Sequence, residues 1–320
     1  MCRFIAYIGQ PIIMYDLLYR PKNSLINQSI RAHETEEPLN GDGFGVGWYM
    51  PTIDPTPALY VSVRPAWNDR NMKYIAPKIK ANCIFAHVRA ASTGEVNEMN
   101  CHPFHYRNFL FMHNGDIEGF EKIKRRIREQ LRDEIYNHVH GQTDSEHLFA
   151  LFLEIFEREE MEETAESIAS AMEKAIKEVQ KIKKKYKITD PSYINVAVSD
   201  GNSLIALRYL SNMDMDAPTL YYSEGTGYEC VDGVCRMRRD VNERAVLVVS
   251  ERLTSYRSDW KEIPVNHMLI VGKNLHTTIK PLKIPLDNPE KVVKPKSSNT
   301  RKSGKPDDPD QPSGVSYEEV

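Results

Sequence analysis

Met1 is followed by Cys2, and a residue as small as cysteine at that position normally allows the initiator methionine to be removed. Cys2 then becomes the first residue, carrying both a thiol and a free α-amine. The reference pKa of an α-amine, roughly 7.7 to 8.0, leaves on the order of a tenth of it neutral at pH 7, against under ~0.1% of a lysine. The amine can therefore act as general base for its own side chain, which is the logic of an N-terminal nucleophile. Two plainer readings stand beside it. Free cysteines are commonly small core residues, and an N-terminal cysteine can be lipidated, although one lipid without a second membrane signal anchors weakly.

Other residues of reactive type fall into less suggestive patterns. His87, His102 and His113 have the side chains of bases or metal ligands. They are expected to be buried, hydrogen-bonded supports. Cys101 and His102 are adjacent, and adjacent residues of an extended segment point to opposite faces, which argues against a thiol–imidazole pair. Cys230 and Cys235 are separated by Val-Asp-Gly-Val and could face each other across a turn. No companion Cys or His pair stands at zinc-like spacing, so no metal site is expected. Five cysteines in all, a sparse and odd count, suit a reducing, cytoplasmic setting better than a secreted disulfide framework.

The elements that must position these residues follow from periodicity. Residues 2–9, 43–49, 58–63, 83–89 and 109–113 are short, rich in β-branched or aromatic residues, and bounded by Gly, Pro or Asn, as strands are. Phe120, Ile123, Ile127 and Leu131 then recur at helical spacing amid Lys124, Arg125, Arg126 and Arg128, the pattern of a surface helix with a solvated basic face. Two further helices follow from Asp144, one with Leu148, Leu151, Phe152 and Ile155, the other with Ile168, Met172, Ile176 and Val179 on one side. Strands return at residues 193–198, 203–209, 220–222, 245–249 and 268–271. The order strands, helices, strands implies packed sheets covered by helices.

Composition narrows the classes. With 320 residues, 41% hydrophobic and 27% charged, the chain has globular averages and length enough to bury a core without staples. Its net charge of −3 provides no global basic field, so nucleic acid is not an expected partner. No apolar run is longer than a strand, so no membrane segment is expected, and residues 4–8 are too short for a secretory signal. Residues 286–320 set five prolines among Ser, Lys and Asp, the composition of a disordered tail, and leave 1–285 as one domain. Without the tail's six basic and seven acidic residues the net charge is −2.

Five separated motifs join Cys2 into one pattern: Gly41-Asp42-Gly43-Phe44-Gly45-Val46-Gly47-Trp48; Phe85-Ala86-His87-Val88-Arg89-Ala90-Ala91-Ser92-Thr93-Gly94; Asn100-Cys101-His102-Pro103-Phe104; His113-Asn114-Gly115; and Thr143-Asp144-Ser145-Glu146. In this order they resemble the class II glutamine amidotransferases, over residues 2 to about 271. The resemblance implies an α+β fold, the N-terminal nucleophile (Ntn) hydrolase four-layer αββα sandwich with two antiparallel sheets, and no cofactor. It implies Cys2 as nucleophile, with Asn114 (side-chain amide) and Gly115 (backbone N–H) as the oxyanion hole. Arg89 resembles the ligand of a substrate α-carboxylate, which suits a planar guanidinium fork, and Asp144 resembles the ligand of the α-ammonium.

Residues 65–68, 250–254 and 264–267, with Trp260, look most like the stand-alone, YafJ-like and γ-glutamyl amidohydrolase branch. The branch with a fused synthase usually has Trp where this chain has Ala90. The resemblance therefore implies hydrolysis of a small γ-glutamyl substrate through a Cys2 thioester. Two alternatives stay open: a glutaminase subunit that delivers ammonia to a separate synthase as protein partner, and a non-catalytic γ-glutamyl-binding scaffold.

Overall fold

Side chains alternate along a strand, and here the alternation sorts the molecule into layers. The computed structural model describes residues 1–35, 38–231, 233–238 and 244–286. In it β1 (Arg3–Ile13) sends Phe4, Ala6 and Ile8 to one side and Ile5 and Tyr7 to the other, all buried. A strand buried on both faces reads as a continuous apolar run, which is why β1 lacks polar alternation at its start.

Along the chain come α1 (Met14–Leu18), α2 (Leu25–Ile30), β2 (Phe44–Met50), β3 (Asp54–Ser62), α3 (Arg70–Ile75), β4 (Lys80–Val88), β5 (Phe104–Tyr106) and β6 (Phe109–Ile117). Four helices follow: α4 (Phe120–Arg128), α5 (Asp133–His138), α6 (Asp144–Arg158) and α7 (Ala165–Lys185). The return strands are β7 (Ser192–Ser199), β8 (Leu204–Leu210), β9 (Tyr221–Gly225), β10 (Gly227–Val231), β11 (Val234–Arg238), β12 (Ala245–Val249), β13 (Lys261–Glu262), β14 (His267–Val271) and β15 (Thr277–Pro281).

They form a seven-stranded sheet in the order β13-β9-β12-β1-β4-β2-β3 and a six-stranded sheet in the order β15-β14-β8-β7-β6-β5, antiparallel throughout. Phe4, Phe85, Leu110, Met112, Ala206 and Val248 fill the space between the sheets. Outside the six-stranded sheet, Phe109, Phe111, Val196 and Leu207 meet Phe149, Phe152, Ile176 and Val179 of α6 and α7. Outside the seven-stranded sheet, Ile5, Tyr7 and Leu247 meet Met14, Leu17, Leu25 and Met72 of the short helices and Tyr228 and Met237 of the β10–β11 hairpin. This is the expected α+β, four-layer αββα sandwich of an Ntn hydrolase.

The differences have physical causes. Helices α1, α2 and α3 have five or six residues, fewer than two turns, and so display no period in the sequence. The helix expected to run to Leu131 stops at Arg128, and α5 starts separately after it. The β10–β11 hairpin places Cys230 directly opposite Cys235, and the two form a disulfide, leaving Cys2, Cys83 and Cys101 as free thiols. Among the described residues no helix is long and apolar enough to cross a membrane. The expected tail, beyond Leu286, lies outside the described residues.

Candidate active site

The β1–β4 ladder begins with Arg3 opposite Val88, so Cys2 projects one residue beyond it, level with the turn that follows β4. Its Sγ lies 3.4 Å from both the carbonyl oxygen and the amide nitrogen of Ala90. Burial pushes the thiol above the ordinary cysteine value, while the Ala90 N–H, the amino terminus and the Arg89 and Arg3 guanidiniums work in the opposite direction.

Arg89 is held at both ends. Its N–H donates to Gly43 O at 2.8 Å and its carbonyl accepts from Asp42 N at 3.0 Å, which zips the 41–43 loop to the end of β4. The Asp42 carboxylate takes the Ala91 N–H at 2.8 Å. The buried Arg89 guanidinium donates to Thr93 O at 2.8 Å and Glu95 O at 3.0 Å, so the next loop wraps around it. Gly43 has φ 117°, and a Cβ there would stand 2.7 Å from Cys101 Sγ, so this close loop crossing needs glycine.

Asn114 and Gly115 lie toward the end of β6 in the other sheet, opposite Asn195 and Ile194 of β7, with pairing continuing to Ile117. A Cβ on Gly115 would lie 1.8 Å from Tyr193 O, which excludes any other residue. Asn114 Nδ2 donates to Ser250 Oγ at 3.3 Å, and the same hydroxyl accepts the Phe4 N–H at 3.0 Å. Ser250 thus ties the candidate oxyanion residue of one sheet to the strand of Cys2 in the other. Asn114 Oδ1 is buried without a hydrogen-bond partner among the described residues.

Asp144 opens α6, after the N-cap Thr143, whose hydroxyl accepts from Glu146 N at 3.2 Å. Its carboxylate accepts the Ile117 N–H at 2.8 Å, two residues beyond Gly115, and the Ser145 N–H at 2.7 Å. Ser145 Oγ meets His113 Nδ1 at 2.9 Å, so His113 braces the start of α6. His87 Nε2 lies 3.2 Å from His113 O. His102 departs from the expectation: it is buried against the His87 ring at 4.1 Å, yet neither of its ring nitrogens has a partner among the described residues. Burial lowers all three histidines, His87 to about 3, so they are neutral at pH 7. Cys101 Sγ faces Ser62 O and Asn97 O, not His102. Among the described residues no group of three or more His, Cys, Asp or Glu is arranged to hold a metal ion.

The five residues expected from the sequence, Cys2, Arg89, Asn114, Gly115 and Asp144, therefore belong to one chain of contacts at one end of the sandwich. Sequence reasoning missed others. Asp116 lines an open cleft of ≈ 420 Å³ with Thr93, Lys122 and Asp190, and is raised to about 7 by burial first and the Asp144 carboxylate second. Its signal was available, because period-2 alternation puts it on the face of Asn114. Arg3 carried no comparable local signal, and Ser250 and Glu251 stood out only as part of the 250–254 segment, with no place at the site.

The chain as a whole is similar to known proteins. The family model for class II glutamine amidotransferases matches residues 24–290. Over 293 residues the chain is 37% identical to the probable glutamine amidotransferase DUG3 of Saccharomyces cerevisiae, covering 85% of this chain and 82% of the yeast protein. Over 120 residues, 37% of this chain and 50% of the relative, it is 32% identical to the γ-glutamyl-hercynylcysteine sulfoxide hydrolase of Mycobacterium tuberculosis. Among solved structures, a glutamine aminotransferase class II domain protein from Silicibacter pomeroyi superposes with a TM-score of 0.59 at 28% identity, covering 89% of this chain and 100% of that one.

Proposed function

The chain belongs to the class II glutamine amidotransferase family, and from that premise we propose that it is a cysteine amidohydrolase. In this reading it cleaves the γ-glutamyl amide bond of glutamine or a γ-glutamyl compound through a thioester on Cys2, releasing glutamate. With Met1 removed, the α-amine takes the Sγ proton as sulfur bonds to the amide carbonyl carbon. The carbonyl π pair moves to oxygen, where Asn114 Nδ2 and the Gly115 N–H receive the charge. The oxyanion collapses, the C–N bond breaks, and the amine departs with the proton from the α-ammonium. Water then adds to the thioester, giving its proton to the α-amine; the C–S bond breaks, and the thiol is restored as glutamate leaves.

Arg89 serves the substrate α-carboxylate and Asp144 the α-ammonium. Arg89 has five N–H donors, more than its loop contacts use, and a carboxylate has about four acceptor positions, more than the two main-chain bonds occupy. The observation that most supports the reading is the Ser250 junction, which puts Asn114 beside the first residues of β1. The relative named as a γ-glutamyl-hercynylcysteine sulfoxide hydrolase supports the substrate class.

The test is glutamate release, followed by mass spectrometry, from glutamine, glutathione and other γ-glutamyl amides. Wild-type protein should begin at Cys2 and release glutamate from at least one donor, and folded Cys2→Ala protein should release none. An active Cys2→Ala variant, or active protein that retains Met1, would overturn the mechanism.

A further inference from the structure

Arg3 is the bulkiest of the fully buried side chains, and a guanidinium is costly to bury unless its donors are met. Its Nε donates to Glu251 Oε1 at 2.8 Å, an ion pair between residues 1% and 0% exposed. Such pairs are weak evidence for stability, because apolar side chains of similar volume often serve as well. An apolar pair could not make the remaining contacts. Arg3 Nη1 donates to the Cys2 carbonyl oxygen at 2.7 Å and Nη2 to Glu34 O at 3.1 Å. Glu251 also accepts the N–H groups of His33 at 3.0 Å and Glu34 at 2.9 Å.

Cys2 lies outside the β1–β4 ladder, at the position where a free chain end frays. A bond to its carbonyl restrains the peptide plane between Cys2 and Arg3, and with it the direction in which the Cα of Cys2 presents its thiol and its amine. We propose that Arg3, held in place by Glu251, is a positioning residue that fixes the first peptide plane and so aims the Cys2 thiol and α-amine together at the bound amide. The proposal rests on the reading of Cys2 as nucleophile. It separates two residues that are adjacent in sequence into a reacting group and its mount, the mount being anchored by Glu251, two residues past the end of β12.

The double variant Arg3→Met/Glu251→Leu removes both charges and retains the volume; Arg3→Lys retains the charge and the reach to Glu251 but loses the fork that also serves Cys2 and Glu34. Glutamine is the donor, thermal unfolding reports the fold, and labelling of Cys2 by iodoacetamide, followed by mass spectrometry, reports the thiol directly. The double variant should stay folded, lose about 30-fold or more in kcat, and keep KM within about threefold, since misplacement costs rate more than binding. Its Cys2 labelling rate should differ from wild type. Arg3→Lys should lose about 10-fold in kcat, an intermediate value.

A folded double variant with wild-type kcat and labelling rate would overturn the proposal. If the double variant does not fold, wild-type kcat and labelling in Arg3→Lys would overturn it equally. A wild-type protein that releases no glutamate would count against the proposed function instead, and the labelling comparison would still decide whether Arg3 sets the placement of Cys2.

Discussion

The six-stranded sheet meets α6 and α7, 15 and 21 residues long, through a broad layer of Phe, Leu, Ile and Val side chains. The seven-stranded sheet is covered by helices of five or six residues and a disulfide-closed hairpin, and at its open end it buries Arg3, Arg89, Ser250 and Glu251. Apolar layers are non-directional and tolerate small shifts, whereas buried charges demand partners at bonding distance. The contrast suggests a division in which the helix-backed sheet provides a rigid platform for Asn114 and Gly115 while the other sheet holds Cys2, the proposed nucleophile, in a directional polar frame. Ser250 is where the two meet.

That division can be broken by variants that ought to fail in different ways. Phe152, fully buried in α6 with its ring 5.5 Å from Phe109, belongs to the platform. Phe152→Ala should cost about 3–5 kcal/mol of stability, measured by urea denaturation, while the fraction still folded retains its KM. A loss of that size in KM instead would make the platform part of the binding site. Asn114→Ala should cost about 1–3 kcal/mol of stability through the lost bond to Ser250, leaving the protein folded, but reduce turnover about 100- to 1,000-fold, roughly 3 to 4 kcal/mol. Loss of stability with unchanged kcat would remove Asn114 from the chemistry.

The smallest effect concerns Asp116. Its folded value of about 7 is above the ordinary 3.8, so the folded state keeps a proton that the unfolded chain gives up. That contribution is complete below pH 3.8 and is lost as pH rises through 7. Asp116→Asn cannot ionise, so its melting temperature should rise relative to wild type between about pH 5 and 8. The gain is modest because solvent reaches the group and screens it. A difference that does not change with pH would show that Asp116 is not strained by its neighbours.

Much of this molecule was legible before folding. The strands of the core announced themselves as apolar runs, and α6 and α7 by helical period, because each has enough length to repeat its pattern. Helices α1 to α3 and the three-residue β5 do not, and only packing identifies them. The five candidate site residues were also legible, since each lies in a local motif. The hydrogen-bonded support expected of the histidines fits His87 and His113 but not His102, whose surroundings are assembled from distant segments.

By itself the sequence named the candidate nucleophile and the candidate site residues in order: a cysteine after the initiator methionine, then Arg89, Asn114-Gly115 and Asp144. The order of strands and helices also implied packed sheets covered by helices. Only the tertiary structure decided which faces meet. Arg3 and Glu251 are 248 positions apart and Asn114 and Ser250 are 136 apart. A hydrogen bond reaches about 3 Å and depends on direction, whereas a periodic pattern carries neither distance nor direction between strands. The partners of a buried donor are therefore settled by strand order and register, after the chain has folded.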